Sequence, residues 1–300
     1  MAFPGQTMLV AFQIAQEKGY YQQEGLEVEF IFMRDTVANQ ALMGGNVEFT
    51  TTGGSSLTAI LAGAPLRIVF NSFHRPTWGL YVKPDFREIK ELKGKKVGIP
   101  GGTGGAPDHN LRAVLKSHGL EGGRDVVIVG MGGSSTVYSA FLSGSVDAAV
   151  LSLVLGVRAE EAGFRQVVSF AHEDFDLAAY SGSIVVREEV LKSDVSLVEK
   201  FVRATLKGLL YARTNRSGAI SIWSRYNKIR EDIGAKIYTA LLPAMTADGS
   251  TNARSQKRVV EEYLGLVGLK DPPPLERVFS YSMLRKVRDE LETRGWKPAP

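Results

Sequence analysis

The chain of 300 residues has no cysteine. That removes disulfides, thiolate metal sites and cysteine nucleophiles together. Histidine is scarce: His74, His109, His118 and His172 are the only four, and no His-Glu-x-x-His pair exists among them, so the sequence predicts no metal centre. The Gly-x-Ser-x-Gly elbow of serine hydrolases is missing as well. No apolar run approaches the ~18 residues of a membrane-spanning helix, and no secretion signal is visible at Met1. The start Phe3-Pro4-Gly5 reads as the end of a first strand whose beginning is missing, so a trimmed N-terminus is expected. Charge of either sign is dispersed: 36 Lys and Arg against 32 Asp and Glu leave a net +4. The densest basic cluster, Lys93, Lys95 and Lys96, has no interleaved aromatics. It reads as a solvated loop, and no nucleic-acid partner is expected. What remains, 44% apolar and 23% charged residues, is the make-up of a globular protein. The length suits one large domain or two medium ones.

What is present in quantity is glycine at strand ends. In Gly94 to Asn110, Val97 and Ile99 alternate as in a short strand, residues Gly101 to Gly105 are almost all glycine, and Pro107 and Asp108 open a helix carrying Leu111, Val114 and Leu115. Strand, glycine turn and helix start leave backbone N–H groups at the positive end of a helix dipole, a seat for an anion or polar group. This is not a dinucleotide fingerprint. Gly102 and Gly104 fit, but Pro107 stands where the third glycine belongs, and no lysine follows in the Walker register.

The same device recurs along the chain. Gln6 to Lys18 reads as a helix with Met8, Phe12 and Ala15 on one face; Leu26, Val28, Phe30 and Phe32 alternate as a strand; Thr36 to Met43 is a helix. Strand Val47–Phe49 runs into Thr51-Thr-Gly-Gly-Ser-Ser56 and a helix with Leu57, Ile60 and Leu61, and Leu66 to Phe70 is a further strand. A second series has strands at Lys95–Pro100, Val126–Met131, Asp147–Leu151 and Gln166–Phe170, helices at Asp108–His118 and from Gly132-Gly-Ser-Ser135 to Leu142, and a returning strand at Gly182–Arg187. Such alternation predicts an α/β fold with open, mostly parallel sheets. From Ser193 the pattern is helical: Asp194–Arg213, Ser217–Arg230, Gly234–Leu242, Asn252–Leu266 and Leu275–Thr293, whose apolar stripes are packing faces. Four strand ends carry matched small polar turns: Pro4-Gly-Gln-Thr7, Thr51–Ser56, Gly101–Gly105 and Gly132–Ser135. Ligands in open α/β sheets bind outside the carboxyl ends of strands.

Ile14-Ala-Gln-Glu-Lys-Gly-Tyr-Tyr-Gln-Gln-Glu-Gly-Leu-Glu-Val-Glu29, following Pro4-Gly5, resembles the opening of the nitrate/sulfonate/taurine family of ABC-transporter substrate-binding proteins. Ala41 to Phe49, Leu92 to Pro100 and Ala140 to Ala149 agree with that family in order and spacing. The resemblance covers residues 4–152 and is weak in the helical tail. It implies the type II periplasmic-binding fold: two α/β lobes, with crossover strands near Gly79–Val82 and Gly182–Val186, closing on a ligand. Lobe one would be residues 1–80 and 183–300, with 81–182 inserted as lobe two. It also implies an extracytoplasmic, monomeric receptor that takes no cofactor and meets membrane permease subunits.

Carried onto this sequence, the ligand-binding positions are Gln6, Thr7, Thr52, Gly53, Gly54, Ser55, Thr103, Gly104, Ser134, Ser135 and Ser152. Plain N-capping is the competing role for the helix-start residues. His74 and Trp78, in Phe73-His-Arg-Pro-Thr-Trp78, are placed to stack on or bond a ligand, with Arg75 as a partner for a carboxylate or sulfonate. Tyr180-Ser181 precedes the return crossover and is a further candidate. His172-Glu173-Asp174 reads as a polar turn, and Asp108 beside His109 as dipole complementation rather than an acid/base pair. The reading is therefore a non-enzymatic receptor for a small polar, anionic molecule such as a sulfonate, nitrate or carboxylate, with a pyrimidine-like heterocycle fitting nearly as well. The rival is an enzyme or pyrimidine-precursor-binding protein of thiamine metabolism on the same fold. Those synthases carry a cysteine-rich iron-binding motif, which this chain lacks. A third option is a sensory module that kept the lobes and lost transport.

Overall fold

The computed structural model describes residues 1–3, 9–104, 106–171 and 181–298. Its elements run β1 (Ala2–Phe3), α1 (Val10–Glu17), α2 (Tyr20–Gln23), β2 (Ile31–Phe32), α3 (Asp35–Met43), α4 (Gly53–Leu61), β3 (Leu66–Phe73) and β4 (Trp78–Val82). Next come β5 (Lys96–Ile99), α5 (Ala106–Ser117), β6 (Val127–Gly130), α6 (Ser134–Leu142), β7 (Ala148–Ser152), α7 (Leu153–Glu161), β8 (Arg165–Ser169) and β9 (Ser181–Arg187). The helical remainder is α8 (Val190–Ser193), α9 (Val195–Thr214), α10 (Arg216–Asn227), α11 (Glu231–Leu241), α12 (Ala253–Val267) and α13 (Ser282–Thr293). The chain divides into two compact units, one of Met1–His74, Ala178–Ala235 and Met245–Pro300, the other of Arg75–Leu177 and Lys236–Ala244.

In the first unit, β3 and β9 pair antiparallel over nearly their whole length, and β1 pairs parallel with β2. Thr50 joins the two pairs, bridging Ala2 on one side and Val185 on the other. The core forms where Phe201 of α9 stacks on Phe49 at 4.1 Å and on Tyr21 at 5.2 Å. Asp194 caps α9 by accepting the Leu197 N–H at 3.0 Å. Helices α1 and α9 approach so closely that a Cβ on Gly208 would lie 2.0 Å from the Ala11 carbonyl oxygen. Only glycine permits that contact.

The second unit is a five-stranded sheet of order β6-β5-β7-β4-β8. Strands β5, β6 and β7 run parallel, and β4 runs antiparallel to both β7 and β8. Leu80 and Val82 face the core that also holds Val97, Ile99, Leu111, Val114 and Leu115, whereas Tyr81 faces Val137 and Phe141. This is the period-two alternation of a strand covered on both sides.

Three expectations need correction. The strand expected over Leu26–Phe32 is reduced to Ile31–Phe32, because the parallel ladder with β1 pairs only Ala2 with Ile31 and Phe3 with Phe32. The strand expected at Val47–Phe49 is not a strand: its only ladder position is Thr50, whose two neighbours Ala2 and Val185 use both edges of one residue. The helix expected over Leu275–Thr293 breaks before Ser282, since Val278 accepts the Ile68 N–H and Ser280 donates to the Ile68 carbonyl, both at 2.9 Å. Helix α7, unforeseen in the sequence, follows directly on β7.

Candidate functional site

On the first unit the site is built around the start of α4. A threonine just before a helix ordinarily caps it. Thr52 does not: α4 has no side-chain cap. The Thr52 hydroxyl instead donates to Asn39 Oδ1 at 2.7 Å, and the Ser56 hydroxyl donates to the same oxygen at 2.7 Å. Each hydroxyl has one proton, so Thr50, 2.8 Å away, must donate to Thr52. Asn39 completes the net by donating from Nδ2 to Ser55 Oγ at 3.0 Å. The net fixes α4 against α3 while leaving the first-turn amides at its positive end without a side-chain acceptor.

Two further groups face that turn. Ser55 Oγ lies 3.3 Å from Asp35 Oδ1 at the start of α3, and 3.2 Å from the Thr52 carbonyl. Asp35 is solvent-accessible, yet the protein around it desolvates the carboxyl enough to raise its pKa, against the lowering effect of the Ser55 bond. From α12 comes Tyr263, only 9% exposed. Its hydroxyl oxygen is 3.2 Å from where a Cβ on Gly54 would stand. Burial pushes the phenol up to about 12, with the charges of Glu262 and Asp35 adding to the effect. Among the described residues the Tyr263 hydroxyl has no hydrogen-bond partner, and its oxygen is not fully enclosed by protein. Asp35, Asn39 and Tyr263 were not singled out in the sequence: an acid at a helix start and a tyrosine in an apolar stripe both read as ordinary structure.

On the second unit, the parallel and antiparallel pairings bring the predicted residues to one edge of the sheet. Trp78, first in β4, pairs with Ser152, last in β7, and its carbonyl accepts the Phe170 N–H at 3.0 Å. The turns after β5 and β6 meet there too: Gly101 donates to Gly132 at 2.7 Å and accepts from it at 3.1 Å. Both glycines hold left-handed backbone, with φ of 76° and 72°, which explains the residue type. Helices α6 and α7 start at this edge with no side-chain cap, so neither Ser134 and Ser135 nor Ser152 has a capping role. Thr103 is exposed beside them.

Gly104 does not offer its amide to a ligand, because it donates to Asp108 Oδ2 at 2.7 Å. Asp108, buried, also accepts from Arg112 Nε at 2.9 Å, so its carboxylate closes the turn instead of pairing with His109. Arg75 spends one guanidinium N–H on the Ala171 carbonyl at 3.1 Å. His74 follows directly on β3. Gln6, Thr7 and Tyr180 lie outside the described residues.

A family profile described as "NMT1/THI5 like" matches residues 6–219. Among curated relatives, a Brucella abortus protein that carries the provisional name of binding protein is 27% identical over 248 residues, covering 80% of this chain and 76% of the relative. The riboflavin-binding protein RibY of Chloroflexus aurantiacus is 29% identical over 229 residues, 74% of this chain and 64% of RibY. Among solved structures, the periplasmic nitrate-binding protein NrtA of Synechocystis superposes with a TM-score of 0.77 at 14% identity, covering 97% of this chain and 88% of NrtA. The aliphatic sulphonate-binding protein SsuA of Escherichia coli gives 0.73 at 15% identity, with 93% and 91% covered. The desulfurization enzyme DSZB gives 0.71 at 16% identity, with 97% and 99% covered. At these identities the structures establish the fold, that of type II periplasmic-binding proteins, and the fold is shared by binding proteins and at least one enzyme. No helix among the described residues is long and apolar enough to cross a membrane.

Proposed function

The chain belongs to the NMT1/THI5-like family, and on that premise we propose that it is the solute-binding component of an ABC importer, taking a small polar organic molecule outside the cytoplasm. The observation that carries this reading is that α4, α6 and α7 each start straight after a strand or bridge residue, with Thr52, Gly133 and Ser152 at the capping position, and that no hydroxyl there, nor that of Ser134 or Ser135, caps its helix. Structural helix starts of this composition normally use those hydroxyls as caps. Leaving three uncapped costs stability and is understandable where a ligand supplies the missing acceptors.

The reading is non-enzymatic: the Asp108 oxygens serve Gly104 and Arg112, which leaves no Asp–His pair at the glycine turn. A monomer that presents its loaded form to permease subunits follows from the same family reading. For the ligand, neutral donors suit nitrate, a sulfonate or a carboxylate, whereas RibY directs attention to an uncharged heterocycle. Asp35, a carboxylate at the α4 turn, weighs toward the second. Native mass spectrometry of gently purified protein, followed by thermal shift with whatever mass is retained, tests the proposal. A retained molecule that raises the melting temperature and is recovered unchanged supports a receptor. Recovery of a converted product points to an enzyme instead.

A further inference from the structure

Helix α12 lies beyond the residues matched by the family profile, and by pattern alone it is a packing helix. Yet it delivers to the α4 turn a tyrosine that is nine-tenths buried, with a hydroxyl unpartnered among the described residues. A hydroxyl held there without a protein partner is left to bond water or a ligand. Opposite it stand the uncapped α4 amides, which are donors, and Asp35, which when ionised only accepts. Gly54 keeps the space in front of the hydroxyl open, since a methyl group there would stand 3.2 Å from it.

This arrangement is complementary to a group that carries an acceptor and a donor side by side. A carbonyl oxygen meets the α4 amides and the Tyr263 hydroxyl, and an adjacent N–H meets Asp35. A nitrate or sulfonate oxygen at the same place would be repelled by the carboxylate. We propose that Asp35 and Tyr263 determine specificity at a ligand site on the first turn of α4, selecting an uncharged amide, lactam or imide edge over an anion. The inference rests on the solute-binding reading above and names the class of solute.

The test is isothermal titration of the full chain with riboflavin, uracil, nitrate and ethanesulfonate, alongside native mass spectrometry of the untreated protein. Asp35→Asn, Tyr263→Phe and Gly54→Ala are titrated in parallel. Riboflavin and uracil both carry an imide, so one or both bind. Asp35→Asn weakens that binding about tenfold or more, because the bond lost is charge-assisted. Tyr263→Phe weakens it about fivefold, and Gly54→Ala weakens it by crowding the hydroxyl. All three variants melt within a few degrees of the parent, which separates loss of binding from loss of fold. Tighter binding of nitrate or ethanesulfonate than of either imide overturns the inference. So does imide binding that the Asp35 and Tyr263 variants leave within twofold of the parent. If no probe binds, the retained molecule decides: one lacking a carbonyl beside an N–H overturns this inference alone. An empty protein that binds no probe overturns the solute-binding reading and this inference with it.

Discussion

Replacing Asn39 by leucine tests whether the hydroxyl net, and not a cap, holds the α4 turn. The two side chains are similar in size, so packing is largely kept and the loss isolates hydrogen bonding. Three bonds disappear: those received from Thr52 and Ser56, both 2.7 Å, and that given to Ser55 at 3.0 Å. At about 1 kcal/mol each, the direct loss is about 3 kcal/mol. Some is recovered, because Thr52 and Ser56 oxygens are already 2.9 Å apart and one can donate to the other once Asn39 is gone. The burial of an apolar side chain offsets a little more. A net cost of about 2 kcal/mol remains, which at about 2–4 °C per kcal/mol for a body of this size lowers melting by about 4–8 °C. Asn39→Asp keeps the oxygen that accepts from Thr52 and Ser56 but places a buried carboxylate close to Asp35, so it is expected to cost at least as much as Asn39→Leu at neutral pH and less in acid. Thermal unfolding followed by circular dichroism measures both. If Asn39→Leu melts like the parent, the hydrogen-bond net does not hold the α4 turn.

Other perturbations follow from single contacts. Gly208→Ala and Gly54→Ala make the same change inside helices with opposite outcomes. The first drives a methyl into the Ala11 backbone carbonyl, 2.0 Å away, and is expected to cost about 3 kcal/mol in thermal or urea unfolding. The second meets only the Tyr263 hydroxyl at 3.2 Å and should be neutral or gain up to about 1 kcal/mol through helix propensity. Arg203 bonds Glu24 at 3.0 Å, Glu199 at 2.5 Å and Glu290 at 2.7 Å, so Arg203→Met leaves three carboxylates crowded at α9. Lys207 near Glu24 and Lys286 on Glu199 remain, which holds the expected loss to about 2 kcal/mol, below the usual range for a broken buried pair. In acid, Asp147 is the group to watch, because the backbone N–H of Lys96 and the charge of Lys83 hold its carboxyl below the usual carboxylate range despite some desolvation. A depressed folded pKa adds stability above the unfolded value, near pH 4, and that stability is lost as pH falls toward the folded value. Asp147→Asn should therefore lower stability at neutral pH, change little at the acid end, and so flatten the acid limb of a stability-against-pH curve.

Much of this architecture was legible because it is written in local pattern. Leu111, Val114 and Leu115 at helical spacing did mark the buried face of α5, and the alternation of strand and helix did give an α/β fold. Glycines at Gly101 and Gly132 announced turns that no other residue type enters easily. Where the reading failed, the partner was remote. Whether Val47–Phe49 makes a strand depends on what Ala2 and Val185 offer to Thr50, and whether Leu275–Thr293 is one helix depends on Ile68. Neither neighbour is visible from within the segment.

Asp108 and Asp35 show where that boundary falls for the site itself. Both are carboxylates in the first turn of a helix beside small polar residues, and by local sequence both are dipole complements. The fate of Asp108 was readable in principle, since its partners, Gly104 and Arg112, stand four residues before and after it. One seals the turn and the other neutralises the charge, so nothing is left over for a ligand. Among the described residues Asp35 has no cation as a hydrogen-bond or ion-pair partner; its neighbours are the Ser55 hydroxyl and, through its charge, the Tyr263 phenol, brought from α4 and α12. A neutralised acid at a helix start closes a structure. An acid left ionisable, partly desolvated, and faced by donors and an unpartnered hydroxyl is complementary to something outside the chain, and only the fold can tell the two apart.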